Sequence, residues 1–179
     1  MDMWELLKDG GLLVVGIVLG WGGHFVQQRA QFQGKLKVDA LEADRTFYRR
    51  ILSMLPTDSA PVGLFTRHNF ALSIHRGASA PIFEVGEFLQ APDSVFLLPE
   101  MKKVFKPFAD DFLAFRYKLG ELIHPKTEEW STCVRGDCDP DHFIPPEVEK
   151  ELNDISTLAD KLAESYTNLV LKGKQNLSI

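Results

Sequence analysis

Residues 10–26 read Gly-Gly-Leu-Leu-Val-Val-Gly-Ile-Val-Leu-Gly-Trp-Gly-Gly-His-Phe-Val, an apolar run interrupted only by His24. As a helix rising 1.5 Å per residue it spans roughly 25 Å, slightly short of a bilayer core of about 30 Å. Trp4, Leu6 and Leu7 before it and Gln27 and Gln28 after it can make up the difference at the interfaces. Trp4, Trp21 and Phe25 stand near the ends, where amphipathic rings favour the headgroup zone. A buried core helix is the competing reading of so short and glycine-rich a run. A cleaved signal peptide fits worse: the segment before the run carries Asp2, Glu5 and Asp9 against Lys8, and no A-x-A-like site follows. The expected organisation is therefore a signal anchor over residues 1–27 and one domain over residues 28–179.

The flanking charge predicts orientation. Lys8 is the sole basic side chain before the run, whereas Arg29, Lys35, Lys37, Arg45, Arg49 and Arg50 follow it. Basic residues close to a span stay on the cytoplasmic side. The amino terminus should face outward and the domain the cytoplasm, at a bacterial inner membrane. An extracytoplasmic domain behind an inverted anchor is the alternative. Within the run, Gly16 and Gly20 form a G-x-x-x-G pair that bares one stripe for close helix packing, and they are the expected oligomer interface. His24 lies one turn further along the same face and reads as an interfacial polar residue.

About 150 residues remain after the anchor, enough for one domain with a core of its own. At 45% hydrophobic and 25% charged residues the composition is that of a folded chain. Thirteen phenylalanines point to an aromatic core. A net charge of −5 without a long Lys/Arg block argues against nucleic acid as a partner. Two cysteines are too few for a disulfide framework, which suits a reducing compartment.

Periodicity then predicts an all-α domain. Leu36, Ala40, Ala43, Phe47, Ile51 and Met54 recur every three or four residues, so the anchor should continue into the domain as a long amphipathic helix that ends at Leu55-Pro56. Serine followed by proline at Ser59-Ala-Pro61 and again at Ser79-Ala-Pro81 predicts helices over 60–76 and 80–90. Met101, Phe105, Phe108, Phe112, Phe115, Leu119 and Leu122 hold an a/d pattern, with Pro107 expected to kink that helix or mark its start. Residues 126–146 carry no helical period and read as a long loop. Pro145-Pro146 opens a last helix with Leu152, Ile155, Ala159, Leu162, Tyr166 and Leu169 on one stripe and Gly173 as its expected cap. Such seams joined by loops predict an up-and-down antiparallel bundle.

Ligand-type residues cluster only in Cys133-Val-Arg-Gly-Asp-Cys138-Asp-Pro-Asp-His142. Cys133, Cys138 and His142 are the candidate zinc ligands, with His124 a possible fourth, though the cysteine spacing is one residue longer than a tight knuckle. Asp137, Asp139 and Asp141 begin a calcium-loop pattern that fails, because His142 stands where the turn needs glycine and Val148 where it needs glutamate. A solvated loop whose Asp residues start turns is the simpler reading, and no cofactor is expected. The pairs Arg67…His75 and Arg116…His124 evoke helical ribonucleases of the HEPN type, but eight positions on a helix set the two side chains about 80° apart. No phosphate loop, nucleophile elbow or H-E-x-x-H is present.

The order of parts over residues 10–55, a Gly-rich span followed by a basic, Gln/Arg-rich helix, resembles the small bacterial single-pass membrane-anchored helical proteins of unknown function. That resemblance implies an anchored helical domain and nothing about catalysis. The function expected is a non-enzymatic interaction or regulatory module that recruits a protein partner at the membrane, as a homo-oligomer. A HEPN-like ribonuclease using Arg116 and His124, and an extracytoplasmic ligand-sensing bundle, are the alternatives.

Overall fold

The computed structural model describes residues 35–134 and 144–178, and the chain divides into two compact units, Met1–Glu42 and Ala43–Ile179. In the first unit the described residues, 35–42, are helical, with Leu36 and Val38 exposed. The apolar run, with Gly16, Gly20 and His24, lies outside the described residues, as do Cys138 and His142. Among the described residues no helix is long and apolar enough to cross a membrane.

The second unit is all-α apart from one small sheet. It comprises α1 (43–54), α2 (Ala60–Thr66), β1 (Ile74–His75), α3 (Arg76–Gln90), α4 (Pro99–Leu122), β2 (His124–Pro125), β3 (Trp130–Thr132) and α5 (Pro146–Leu177). Side-chain pairings fix the helix directions. Arg45 reaches Leu177 and Tyr166 reaches Leu55, so α1 and α5 are antiparallel. Asn176 meets Met101 while Tyr166 meets Phe108, so α4 and α5 are antiparallel too. Gly86 faces Arg116 and Gly120 faces Phe83, which sets α3 against α4 in the same sense. These directions alternate up and down along the chain, with α2 packed beside α3 and α5.

The core is the expected phenylalanine seam. All seven apolar residues of the α4 pattern are buried, and Phe108, Phe112, Phe115 and Leu119 are fully so. Their rings join a continuous cluster in which Phe105 touches Phe47 and Phe96, Phe108 touches Tyr166, and Phe115 touches Phe65 and Phe70. Most pairs are edge-to-face or tilted, the arrangement that ring quadrupoles favour. The α5 stripe is buried from Leu152 to Leu169 as its spacing predicts.

Five expectations are corrected. The helix predicted over 60–76 stops at Thr66, because the Asn69 side chain accepts the Ala71 N–H at 3.0 Å in a local turn and Ile74–His75 pair with β3. Asparagine offers the backbone that alternative to helix. The helix predicted from residue 80 starts at Arg76, since the His75 ring accepts the Gly77 N–H at 3.0 Å and caps it, leaving Pro81 inside. Pro107 does not mark the start of α4, which begins at Pro99 and keeps Pro107 in its interior. Residues 126–146 are not all loop: Trp130–Thr132, aromatic and β-branched at its ends, is the middle strand of the β1-β3-β2 sheet. Finally, Gly173 is interior to α5, which ends at Ser178 in a left-handed cap (φ 52°).

The α1 stripe is also turned by one position. Asp44, Tyr48 and Ile51 are its buried residues, with Leu55 buried just past its end, whereas Ala43 is exposed and Phe47 and Met54 are only half-buried.

Candidate functional site

The antiparallel packing gives the bundle two distinct ends. One end holds the carboxyl ends of α1 and α4, the start of α3 and the small sheet. The other holds the first turns of α1 and α4, the 91–98 loop and the last turn of α5. The catalytic candidates of the sequence fall mainly at the sheet end.

There, antiparallel register sets His75 opposite Trp130 and His124 opposite Thr132. Side chains alternate across a strand, so Ser131 points inward and is buried, while Trp130 and Thr132 take the outer face. His75 and His124 thus share that face on opposite sides of β3. They are two strand spacings apart, about 10 Å, and offset by two residues, about 7 Å. The His75 ring also stands edge-on to Trp130, with centroids 5.1 Å apart. Arg76 joins the sheet to the 126–129 turn, donating its backbone N–H to Glu129 O at 2.8 Å and its guanidinium to Glu128 O at 3.1 Å.

Arg116 lies elsewhere, between α3 and α4. Its guanidinium sits 6.0 Å from the Phe83 ring centroid and 3.9 Å from Glu87, and its stem crosses the bare Cα of Gly86. A Cβ on Gly86 would come within 2.6 Å of Arg116 Nε, so glycine is what lets this side chain lie between the helices. The groove there is lined by Phe83, Leu113, Tyr117 and Gly120 with Gln90 and Glu121 at its edges. A surface of this kind suits an apolar side chain framed by polar contacts. Arg67, the other arginine candidate, caps α2 and borders a second groove between α2 and α5. Arg116 is engaged with Phe83 and Glu87 and not with His124, and no contact joins Arg67 to His75 among the described residues.

Of the zinc candidates, Cys133 is described and is 2% exposed. Burial pushes its thiol up to about 12, so it remains protonated at neutral pH. Among the described residues no group of three His, Cys, Asp or Glu side chains is placed to hold a metal ion.

Sequence reasoning missed the polar roles of four residues in the bundle: Asp44, Tyr48, Tyr166 and His68. Asp44, 1% exposed, accepts the N–H groups of Leu97 at 2.6 Å and Leu98 at 2.9 Å, where α4 begins. A carboxylate there satisfies orphan donors and faces the positive end of the helix dipole. Its position four residues before Tyr48 on a helical stripe was the available signal. Tyr48 donates to Val170 O at 2.9 Å and Tyr166 to Leu55 O at 2.5 Å, a reciprocal clasp between α1 and α5. His68 is half-buried beside Phe70, and its Nε2 is buried without a partner among the described residues.

No protein-family model matches the chain, and neither a curated protein nor a solved structure matches it significantly.

Proposed function

We propose that the chain is a membrane-anchored helical module that recruits or regulates a protein partner at the cytoplasmic face of a bacterial inner membrane, without catalysing a reaction. The observation that carries this reading is the apolar run of residues 10–26 with its basic residues concentrated on the carboxyl side. The bundle supports it by presenting apolar side chains outward, among them Tyr117 in the α3–α4 groove and Trp130 on the sheet, which are 70% and 42% exposed. Aromatic residues of this sort are enriched where proteins meet. Gly16 and Gly20 clear a stripe along which two anchors could pack, so the module acts as a homo-oligomer in this reading.

Topology is the decisive test. A fluorescent protein fused after Ile179 should fluoresce, and alkaline phosphatase fused at the same place should be inactive. Active phosphatase there would overturn the orientation and favour the extracytoplasmic sensor. Replacing Gly16 and Gly20 with Ile should abolish crosslinked oligomers in membranes while insertion is kept; unchanged crosslinking would remove the glycine face from the account.

A further inference from the structure

The end of the bundle opposite the sheet has a surface of its own. The 91–98 loop leaves α3, buries Ser94 and Phe96, and turns Val95 and Leu97 outward, 52% and 50% exposed. The inward pair is pinned. Ser94 Oγ donates to Phe88 O at 2.5 Å, and the Phe96 ring lies 4.8 Å from that of Phe47. Asp44 holds the amides of Leu97 and Leu98 from the other side. The outward apolar pair is therefore presented by a loop that is already ordered, so little conformational freedom is lost when it inserts into a second phase.

Basic residues flank the pair. Lys102 and Lys103 are exposed in the second turn of α4, and Lys174 is exposed in the last turn of α5, next to the Asn176–Met101 contact that joins the two helices. Asp93 and Glu100 are the acidic side chains on the same loop and first turn, and Glu100 pairs with Lys103 at 3.7 Å. Exposed aliphatic side chains on the loop, with exposed lysines on the turns of α4 and α5 at the same end, match an anionic bilayer surface: the chains enter the headgroup boundary and the ammonium groups meet phosphates.

Chain connectivity selects this occupant over others. Ala43 begins the unit at this end, and residues 27–42 lie between it and the apolar run. Of these sixteen residues 35–42 are helical, so the stretch reaches at most about 40 Å, about 12 Å of helix and about 28 Å of extended chain. With the anchor inserted, this end is confined near the lipid at high effective concentration, so a weak surface affinity suffices.

We propose that this end of the bundle docks on anionic lipid, with Val95 and Leu97 entering the headgroup region and Lys102, Lys103 and Lys174 facing the phosphates. The inference rests on the anchored reading of residues 10–26. Docking of this kind holds the bundle at a set angle, with the sheet end and Trp130 turned away from the membrane toward a partner.

The test uses the full chain with Cys138→Ser and V95C, labelled with an environment-sensitive NBD dye and reconstituted into vesicles. Cys133 is buried and stays unlabelled. In phosphatidylcholine vesicles containing about a third phosphatidylglycerol, NBD emission should shift to the blue, brighten at least two-fold and be quenched by a lipid-borne nitroxide. Each lysine near an anionic surface is worth about five-fold in binding, so K102E/K103E should abolish the shift while the chain still floats with the vesicles. Absence of the shift in floating parent protein overturns the docking. So does an equal shift in pure phosphatidylcholine or in K102E/K103E, which would indicate contact with a second copy. A chain that floats with neither vesicle removes the anchor, and the docking with it.

Discussion

The ring of Tyr48 on α1 lies directly on the bare Cα of Gly173 on α5, and its hydroxyl donates to Val170 O one turn earlier. A Cβ on residue 173 would come within 2.5 Å of the Tyr48 Cζ. Overpacking of that kind costs about 1–3 kcal/mol, and the better helix propensity of alanine returns about 1. Gly173→Ala should therefore destabilise the protein by up to about 2 kcal/mol in chemical denaturation. In combination with Tyr48→Ala the penalty of the second change should vanish, a coupling that a double-mutant cycle measures directly. A Gly173→Ala variant as stable as its parent would show that the two helices are further apart than described.

Asp44 makes a separate prediction at the start of α4. Asp44→Ala strands the two amides it now accepts, at a cost of about 1–3 kcal/mol. Asp44→Asn keeps one acceptor oxygen and should lose less. Amide exchange at Leu97 and Leu98 should accelerate in the alanine variant before exchange in α5 does; equal acceleration everywhere would mean that Asp44 supports the fold only globally.

On α4 the seam and its outer face should behave oppositely. Phe112 is fully buried, so Phe112→Ala should cost about 3–5 kcal/mol. Tyr117, five residues on and 70% exposed, should change stability by no more than about 0.5 kcal/mol when replaced by alanine. Comparable losses at both sites would place part of the seam against another chain.

Stability should fall at both extremes of pH. Burial lowers the His68 pKa from 6.5, against a smaller opposite effect of its backbone hydrogen bond with Leu72. Below 6.5 the unfolded chain then binds more protons than the folded one, so stability is lost as the pH falls through that window. Burial, with Tyr48 alongside, raises Tyr166 from 10.0 to about 12, and burial raises Tyr48 as well. The folded state keeps those protons longer, and stability is lost as pH climbs from 10.0 toward about 12. His68→Gln should flatten the acid limb of a melting-temperature profile and leave the alkaline limb in place. An unchanged acid limb would assign it to other groups.

Cys133 should be inert while the protein is folded. Its burial and its pKa of about 12 both withhold the thiolate that reacts. Peptide mapping after brief maleimide treatment at pH 8 should find it unmodified, and modified after unfolding. Rapid labelling of the native protein would show that the thiol is accessible as a thiolate in the folded state.

The elements most readable in the sequence were those whose signal is local and repeated. The seams on α4 and α5 each extend over several turns, so one face of the helix must be apolar whatever packs on it. The errors fall where a local signal met a competing partner. Ser79-Ala-Pro81 resembles a helix start, yet the His75 ring caps the helix upstream and Pro81 sits inside it. Gly173 resembles a cap because sequence cannot distinguish a glycine that ends a helix from one that makes room for a ring. The candidate pairs Arg116…His124 and Arg67…His75 were sequence neighbours only. Strand register and the α3–α4 packing assign their members to different surroundings.

The sequence alone determined the all-α character, the phenylalanine core and the apolar segment before it, because composition and period are properties of the chain itself. Tertiary structure decided which residues meet. It placed Asp44 against the start of α4, laid Arg116 across Gly86, joined three two- or three-residue strands into a sheet, and gathered Val95, Leu97 and the flanking lysines at one end. Asp44 and Leu98 stand 54 residues apart and Gly86 and Arg116 thirty, and nothing local encodes either meeting. They follow from closing antiparallel helices around one core, where each buried polar group must find its partner within the fold.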